Sequence, residues 1–452
     1  MSWLKIFLCR NARIFRINTT NSCLLRHEFY VHSSFRHFML VKYKTRENSL
    51  NSTMKLTVED KALFSVFQPV YSFSNQACVG VEALVRGRSL KTGFQVPVPE
   101  CLSVPEGESS AVFNQKLNQM HLHNWQALKL PNTWLFLNLD IQEISNLEDL
   151  CVGKLIADQE LLGHEVVVEV VENEIVDEAL FLQVIERLRQ QGCLIALDDF
   201  GAGHSNIDRI WKVQPDIVKL DRGVLLEATR SARSESILRN LTRLIKQAGS
   251  VSLLEGVETK EQALLAMDVG VDLVQGYYFA RPQPFLDQVK AGQACLEDVT
   301  ASYPAYLDEQ KQMSNRHKAT YHSLFETLAD VVLFTELELK MARAAEHSFV
   351  KRFYILDDQG YQVSEDSYQK TMSDCIDVLR KGKGLCWRNR NYFMSAIAQP
   401  EAVFVSEPYR SLIDMQLCLT ISKVVELAGS WYVACFDVHY YDRSTDTGST
   451  SV

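Results

Sequence analysis

Short apolar runs alternate with helical patterns between residues 63 and 285. The runs are rich in Val, Ile, Leu and Phe, as expected for strands that are buried on both faces of a parallel sheet. They occupy residues 67–73, 79–85, 134–139, 166–171, 194–197, 217–220, 251–254 and 273–279. Strands that alternate with helices in this way predict an α/β fold with a mostly parallel sheet.

The segments between the runs carry apolar residues at the i, i+3, i+4 spacing of amphipathic helices. Two clear examples are residues 180–188 and residues 237–245. Thr259 and Gln262 have the spacing of a capping box at the start of another helix. Eight strands with helices between them predict a modified (β/α)8 barrel that resembles the TIM barrel.

The connection between the first two predicted strands is unusually short. Only residues 74–78 lie in it, whereas a crossover between parallel neighbours needs about a dozen residues. The first strand is therefore predicted to run antiparallel to the second.

The pattern changes after Pro282 to helical sequence, which is followed by a second group of strand-like runs. One apolar stripe predicts a connector helix; its members are Tyr321, Leu324, Phe325, Leu328, Val331 and Val332. The later runs, too few for another barrel, predict a small α+β module; they are residues 353–356, 403–406, 417–422 and 431–438. The predicted organisation is a disordered or spurious leader (1–53), a barrel (54–290), a helical connector (291–345), the α+β module (346–441) and a disordered tail (442–452).

Charge is unevenly distributed along the chain. The formal net charge is -9; residues 1–53 carry nine Lys or Arg against two Glu, a net +7, which leaves -16 for the rest. A body this acidic argues against nucleic-acid binding, because that binding depends on Lys and Arg displacing counterions. A small anionic substrate would need bound cations.

Cysteine usage and hydropathy indicate the compartment. The 11 cysteines contain no C-x-x-C pair, which argues against a zinc knuckle or a secreted disulfide framework and is typical of a reducing cytoplasm. No segment reaches the ~18 uninterrupted apolar residues of a membrane helix. We expect a cytoplasmic protein that binds neither nucleic acid nor membranes.

Polar residues mark the ends of the predicted strands. In chain order they are Glu82, Asn138, Glu169, Asp198 with Asp199, Lys219, Glu255 and, at the eighth strand, Gln275. In a β/α barrel the carboxyl ends of the strands meet at one rim, where active sites are built. So many carboxylates cannot stay ionised together without cations, and oxygen ligands select Mg²⁺ or Mn²⁺ over zinc. The adjacent Asp198 and Asp199 could bridge two ions about 4 Å apart, which suits in-line displacement at phosphorus.

These residues also lie in motifs that resemble those of one enzyme family. In chain order the motifs are VGVEALVR, FLNLD, VVVEVVENE, DDFGAGHSN, PDIVKLDR, LEGVET and VQGYYFARP. Through them, residues 63–285 resemble the EAL-domain cyclic di-GMP phosphodiesterases, and the number and order of the motifs make the resemblance specific. It implies hydrolysis of cyclic di-GMP to linear pGpG by a two-metal mechanism.

The resemblance implies a role for each residue. One metal would be held by Glu82, Asn138, Glu169 and Asp198, and the second by Asp198, Asp199 and Glu255. Lys219 would position or activate the attacking water, with Glu255 as the other candidate for the proton transfer; these two and Glu82 are the predicted catalytic residues. The remaining assignments are Gln68, Arg86, Asp221 and Gln275 for substrate or its water, and Glu172 for bracing the loop 199–205.

Alternatives exist for several features. Lys219 could also form a structural ion pair with Asp221. His121 and His123 are two residues apart in a helical segment, so they point apart and are predicted to be core or surface histidines instead of metal ligands. Gly87 stands where the family usually has Trp, and residues 89–109 diverge, which affects expected substrate affinity and dimer contacts. A catalytically weak cyclic di-GMP receptor and an unrelated metal-dependent barrel hydrolase are the alternative functions.

The second module resembles the Cache and PAS-like sensor domains that follow some EAL domains. The resemblance lies in residues 353–357, 387–393 and 405–409 and in Asp437. In ligand-binding members, Trp, Arg, Tyr and Asp at such positions line a pocket for an amino acid or a carboxylic acid. The resemblance implies a homodimer regulated by a small molecule, and a purely structural dimerisation module is the alternative.

Overall fold

The computed structural model describes most of the chain beyond the predicted leader. The described residues are 53–128, 130–141, 144, 146–171, 177–203, 207–328, 330–368 and 382–440. All elements given below belong to one compact unit, Leu56–Val452. The leader up to residue 52 and the tail 442–452 lie outside the described residues, so both stay predictions.

Within the described ranges, ten strands form the first sheet. They are β1 (Leu56–Val58), β2 (Lys61–Ser72), β3 (Ala77–Ser89), β4 (Gln95–Val96), β5 (Trp134–Leu139), β6 (Val166–Val171), β7 (Leu194–Phe200), β8 (Ile217–Leu220), β9 (Val251–Leu254) and β10 (Leu273–Val274). Their order is β1-β2-β10-β9-β8-β7-β6-β5-β3-β4, and the additional pairing of β2 with β3 closes eight of them into an α/β, TIM-like barrel. Strand β2 runs antiparallel to both of its barrel neighbours, β3 and β10.

Helices cover the barrel and continue beyond it. In the described chain they are α1 (Val98–Cys101), α2 (Ser110–Leu128), α3 (Val152–Asp158), α4 (Glu178–Gln190), α5 (Ile207–Val213), α6 (Arg222–Ala228), α7 (Ala232–Gln247), α8 (Lys260–Asp268), α9 (Gln288–Glu326), α10 (Phe334–Ala344) and α11 (Asn391–Ala398). Helix α8 begins with the predicted capping box, because Thr259 accepts from the backbone of Gln262 while the Gln262 side chain reaches back to Thr259. None of the described helices is long and apolar enough to cross a lipid bilayer.

The eighth predicted strand is wrong in its length. Strand β10 has two residues, although the sequence predicted seven. The next residues pair with the loop after β9: Val257 N–H donates to the Gln275 carbonyl at 3.1 Å, and Tyr278 N–H donates to the Val257 carbonyl at 2.9 Å. Gly276 permits this close approach, since a Cβ there would lie 2.0 Å from the Val257 carbonyl oxygen.

The connector is also more complex than one helix. Helix α9 ends at Glu326, and α10 begins only at Phe334. Asp330, in the left-handed region with φ of 60°, interrupts the helical path between them. The predicted stripe therefore divides: Leu328 is buried at 5% exposure, whereas Val332 is 63% exposed.

The second module is a six-stranded sheet. Its described strands are β11 (Val350–Asp357), β12 (Ser367–Tyr368), β13 (Phe404–Val405), β14 (Tyr409–Arg410), β15 (Leu417–Leu427) and β16 (Ser430–His439). The order is β12-β11-β16-β15-β13, with β14 also on β15, and the pairings are antiparallel. Helix α11 packs on this sheet, and the end of α9 joins its core through Leu324 and Phe325. Helix α9 thus reaches from the core of the barrel into the core of the module.

Polar residues in the module are paired with one another inside the sheet. Arg352 Nε donates to Asp437 Oδ2 at 2.6 Å, and both side chains are at most 4% exposed. Thr420 and Tyr354 donate to the other oxygen of Asp437, at 2.7 and 3.3 Å. The predicted pocket residue Asp437 therefore has internal partners, and a ligand would have to compete with them.

Candidate active site

The barrel brings the predicted strand-end residues to one rim. Asn138 on β5 is in register with Glu169 on β6, and Gln68 on β2 lies directly across from Glu82 on β3. Glu82 Oε1 accepts a hydrogen bond from Asn138 Nδ2 at 3.3 Å, and its Oε2 accepts one from Gln275 Nε2 at 2.7 Å. Glu82 thus joins Asn138 on the neighbouring strand β5 to Gln275, the residue that follows β10.

Lys219 lies among four carboxylates. Its Nζ is 2.6 Å from Glu169 Oε1, 2.7 Å from Glu255 Oε1, 3.0 Å from Asp198 Oδ1 and 3.9 Å from Glu82 Oε1. The side chain is 2% exposed, since it projects from β8 into the interior of the barrel rim. These four groups, and not Asp221, are its ion-pair partners in the described structure. Asp221 instead caps α6 by accepting from Gly223 N–H.

The pKa values of the cluster reflect burial and the excess of carboxylates over lysine. Burial alone would lower the pKa of Lys219, but Glu169 and the other carboxylates outweigh it and hold that pKa well above its ordinary value. Burial raises the pKa of Glu169 well above its usual range and that of Glu255 to about 7, and Lys219 offsets only part of either shift. Fully ionised, the four carboxylates would exceed the Lys219 ammonium by three negative charges, and the raised pKa values of Glu169 and Glu255 reflect the cost of that state.

A bulge at the end of β7 brings two aspartates to the same cluster. The register of β7 with β8 shifts between Leu197 and Phe200, and Asp199 has a left-handed φ of 55°. Without this irregularity, consecutive strand residues would point to opposite faces. Burial and the charges of Asp198 and Asp221 raise the pKa of Asp199, which reflects its position beside the cluster.

We expect Asp199→Gly to raise stability and lower activity. Glycine adopts a left-handed φ without steric cost, and one negative charge leaves the cluster, so the free energy of unfolding should rise by about 1 kcal/mol. The hydrolysis described below should fall about 100-fold or more, because a carboxylate oxygen is lost. Thermal unfolding and turnover measure the two effects.

Glu160→Gly is the matched control for this variant. Glu160 is exposed and has a φ of 54°, and it lies in the loop between α3 and β6. It should give the same stabilisation from the backbone with unchanged turnover. Normal turnover of the Asp199 variant would contradict a role for its carboxylate.

The donor set fits a hard divalent cation. Three carboxylates and an amide, from Glu82, Asn138, Glu169 and Asp198, are the oxygen ligands that Mg²⁺ and Mn²⁺ prefer. Glu169 is fully buried, and no described group hydrogen-bonds to its Oε2. Among the described residues no three His, Cys, Asp or Glu side chains are arranged to hold a metal ion; the Lys219 ammonium lies between the four carboxylates. A metal ion would supply positive charge to this acidic cluster and would bind the unpartnered oxygen of Glu169.

The structure places the predicted substrate residues Arg86 and Gln68 in different surroundings. Arg86 lines a cavity of about 760 Å³ that also contains Glu82 and Asn138, a volume suited to a small ligand. Gln68 is 8% exposed and donates to the Ala280 carbonyl at 3.2 Å, so it contacts the rim and stays a prediction as a substrate ligand. Glu172 lies outside the described residues.

The divergent stretch folds back over Gly87. Gly87 pairs with Val96 on β4, and a Cβ at Gly87 would lie 2.7 Å from Cys101 Sγ on α1. A bulky residue at 87 could not coexist with this arrangement. Gly87 therefore leaves the space that the short β4 and α1 occupy over this end of β3.

The sequence reasoning missed residues of α2 that line the same cavity, Asn114 and Asn118. The signal was available, because polar residues recur there at i and i+4 in a helix expected to cover the barrel. The interpretation of His121 as a core histidine is confirmed: it is 6% exposed in α2 and bonded to Ser65.

Comparison with known proteins gives a consistent family. The sequence model of the EAL domain matches residues 49–282. The chain is 34% identical over 140 residues to the cyclic di-GMP phosphodiesterase RocR of Pseudomonas aeruginosa, covering 30% of this chain and 36% of RocR. It is 27% identical over 238 residues to the probable cyclic di-GMP phosphodiesterase PdeN of Escherichia coli, covering 52% of this chain and 46% of PdeN. The chain thus spans less than half the length of these curated relatives.

Among solved structures, the Bacillus subtilis YkuI protein, with an EAL domain, in complex with cyclic di-GMP and calcium is similar in fold. The TM-score is 0.66 at 19% identity, and the match covers 87% of this chain and 99% of that one. The similarity in fold therefore extends beyond the barrel.

Proposed function

The chain belongs to the EAL domain family, and on that premise we propose that it hydrolyses one phosphodiester bond of cyclic di-GMP to give linear pGpG. The observation that carries the proposal is the acidic rim around Lys219, with Glu82, Glu169, Asp198 and Glu255 at 2.6 to 3.9 Å from its Nζ. This rim opens into the cavity lined by Arg86. An anionic substrate is compatible with so acidic a rim only if cations are bound there.

Two divalent ions, Mg²⁺ or Mn²⁺, would supply Lewis-acid activation of the phosphate and of water when bound. Glu82, Asn138, Glu169 and Asp198 would hold one of them, and Asp198, Asp199 and Glu255 the other. The oxygen donors of these residues and the excess of carboxylates around Lys219 support metal binding.

The chain's own residues suggest how protons move. Because Lys219 keeps its proton, it serves as a donor that orients the attacking water and stabilises negative charge on its oxygen. Glu255, 2.7 Å from Lys219 and with a pKa raised to about 7, is the better acceptor for the water proton. Water oxygen bonds to phosphorus as the bond to the 3′ oxygen breaks, and that oxygen takes up a proton. The product keeps its 5′ phosphate.

The direct experiment is incubation of the purified full chain with cyclic di-GMP and Mg²⁺ or Mn²⁺, followed by chromatography for pGpG. Conversion that stops on addition of EDTA is expected. Binding without conversion would favour the receptor function, and neither binding nor conversion would refute the proposal.

The second module extends the proposal to regulation. We propose that it is a PAS- or Cache-like sensor in a homodimer, with α9 as the mechanical link between it and the barrel. Apolar residues near the start of α10 support an interface, since Val332, Leu333 and Leu339 are 63%, 63% and 66% exposed. Light scattering tests the dimer. A ligand would regulate turnover only if it favoured one arrangement of α9 over another.

A further inference from the structure

Helix α2 carries a polar stripe toward the cavity of the candidate active site. Asn114, Asn118 and His121 are spaced i, i+4, i+7 and therefore share one face of the helix. All three line the cavity that contains Glu82 and Asn138. A helix that covers a barrel normally presents apolar side chains on this face. The stripe thus needs an explanation beyond packing.

Asn118 is the strongest sign of a missing partner. The residue is 7% exposed, and within the described part of the chain no group hydrogen-bonds to its side-chain amide. Its amide atoms are not fully enclosed, so they remain accessible from the cavity whose wall they form. The amide therefore offers a donor and an acceptor that the protein itself does not use, and a ligand in the cavity could pair with both.

A hydrogen bond to Ser65 orients the ring of His121 at the same cavity. Asn124 Nδ2 donates to Ser65 Oγ at 2.9 Å, and His121 Nδ1 lies 2.9 Å from the same oxygen. With Nδ1 engaged by Ser65, Nε2 is the ring nitrogen left for a ligand. Burial lowers the pKa of His121 to about 4, so the ring is neutral near pH 7.

The chemistry of the stripe selects the kind of ligand group. Two amides and a neutral imidazole offer donors and acceptors without charge, which suits a nucleobase edge and not a phosphate. Apolar side chains in the same cavity, Leu117, Ile144 and Phe181, would contact the face of a flat ring. The charged groups that a phosphate needs lie elsewhere in the cavity, at Arg86 and at the acidic rim.

We propose that Asn118, supported by His121 and Asn114, recognises the hydrogen-bonding edge of one base of the substrate. This inference rests on the proposed function, since the substrate supplies the base. It assigns substrate specificity to α2, whereas the rim performs the bond cleavage. Loss of the amide should weaken binding of a nucleotide while leaving hydrolysis of a base-free phosphodiester unchanged.

The test is Asn118→Leu, which keeps the number of side-chain heavy atoms and the branch at Cγ and removes the hydrogen-bonding groups. The KM for cyclic di-GMP should rise about 10-fold or more with little change in kcat. Hydrolysis of bis(p-nitrophenyl) phosphate, which has no base edge, should be unaffected. The ligand-free variant should unfold at about the same temperature or a higher one, because no hydrogen bond within the protein is lost.

Gln119→Leu, an exposed position one residue further along α2, is the matched control and should change none of these values. An unchanged KM for the Asn118 variant, or a clear fall in its melting temperature, would overturn the inference and leave the proposed function standing. If the wild-type chain hydrolyses neither substrate, the proposed function fails. Calorimetric binding of cyclic di-GMP to both chains then decides the subsite, and equal affinities or no binding would overturn it.

Discussion

Glu169→Gln should reduce cyclic di-GMP hydrolysis by about 10³-fold or more, which corresponds to about 4 kcal/mol of transition-state stabilisation. Glu169 is fully buried between β5 and β7, and its Oε2 has no described partner. A neutral amide of the same shape keeps the packing and removes the charge that a divalent ion needs. Steady-state kinetics with Mn²⁺ or Mg²⁺ measures the loss.

Stability should respond in the opposite sense. In EDTA the variant should be as stable as the wild type or more stable, since burial disfavours a charged Glu169, as its raised pKa indicates, and glutamine carries no charge. Divalent ions at about 100 times their dissociation constant should stabilise the wild type by about 2.7 kcal/mol and the variant much less. Glu186→Gln, an exposed change on α4, is the control and should preserve both activity and the metal-dependent shift. A metal-dependent shift of wild-type size in the Glu169 variant would contradict its assignment as a ligand.

Lys219→Met should be the most destabilising change at the rim. It removes the one ammonium that lies within 4 Å of four buried or half-buried carboxylates. Leaving buried charges without their partner costs about 3–5 kcal/mol, so unfolding in EDTA should occur at much lower denaturant concentration. Turnover should fall about 10²–10⁴-fold with a smaller effect on KM, because the role proposed for the ammonium is to orient the attacking water.

Lys246→Met is the control for the loss of a lysine ion pair. Lys246 pairs with Asp272 at 2.8 Å, but both side chains are at least 31% exposed, so its removal should cost less than about 1 kcal/mol. Added Mg²⁺ or Mn²⁺ should restore part of the stability of the Lys219 variant by supplying positive charge. Lost affinity with normal turnover would reverse the assignment and make Lys219 a substrate ligand.

Local patterns in the sequence were sufficient for much of the barrel. Strands β5, β6, β8 and β9 have the predicted bounds, because each is an apolar run with a single polar residue inside it and polar residues on both sides. The predicted bounds failed where long-range contacts decide them. Strand β10 stops after two residues because the following backbone pairs with the loop at Val257, a partner that no local pattern reveals.

The candidate site divides in the same way. The chemical types at the strand ends, and hence a rim of carboxylates, could be read from the chain alone, since the period of a strand and the architecture of a barrel fix which ends meet. The distances between these side chains could not be predicted, because they depend on closure of the sheet by the pairing of β2 with β3. Only that closure brings Gln275 to Glu82 and surrounds Lys219 with carboxylates.

Residue types in a fixed order were enough to predict the fold class, the order of the strands' polar ends and the resemblance to the EAL family. The tertiary structure alone decided that Asp199 joins Asp198 through a bulge, that Gly87 lies beneath α1, and that Asn118 faces the cavity without a partner. The first two features arise from a backbone irregularity or from contacts between segments that are distant in sequence, and neither leaves a periodic signal in the chain. The i, i+4 spacing of Asn114 and Asn118 does mark a polar face on α2, but only the packing of that helix shows that the face meets a cavity.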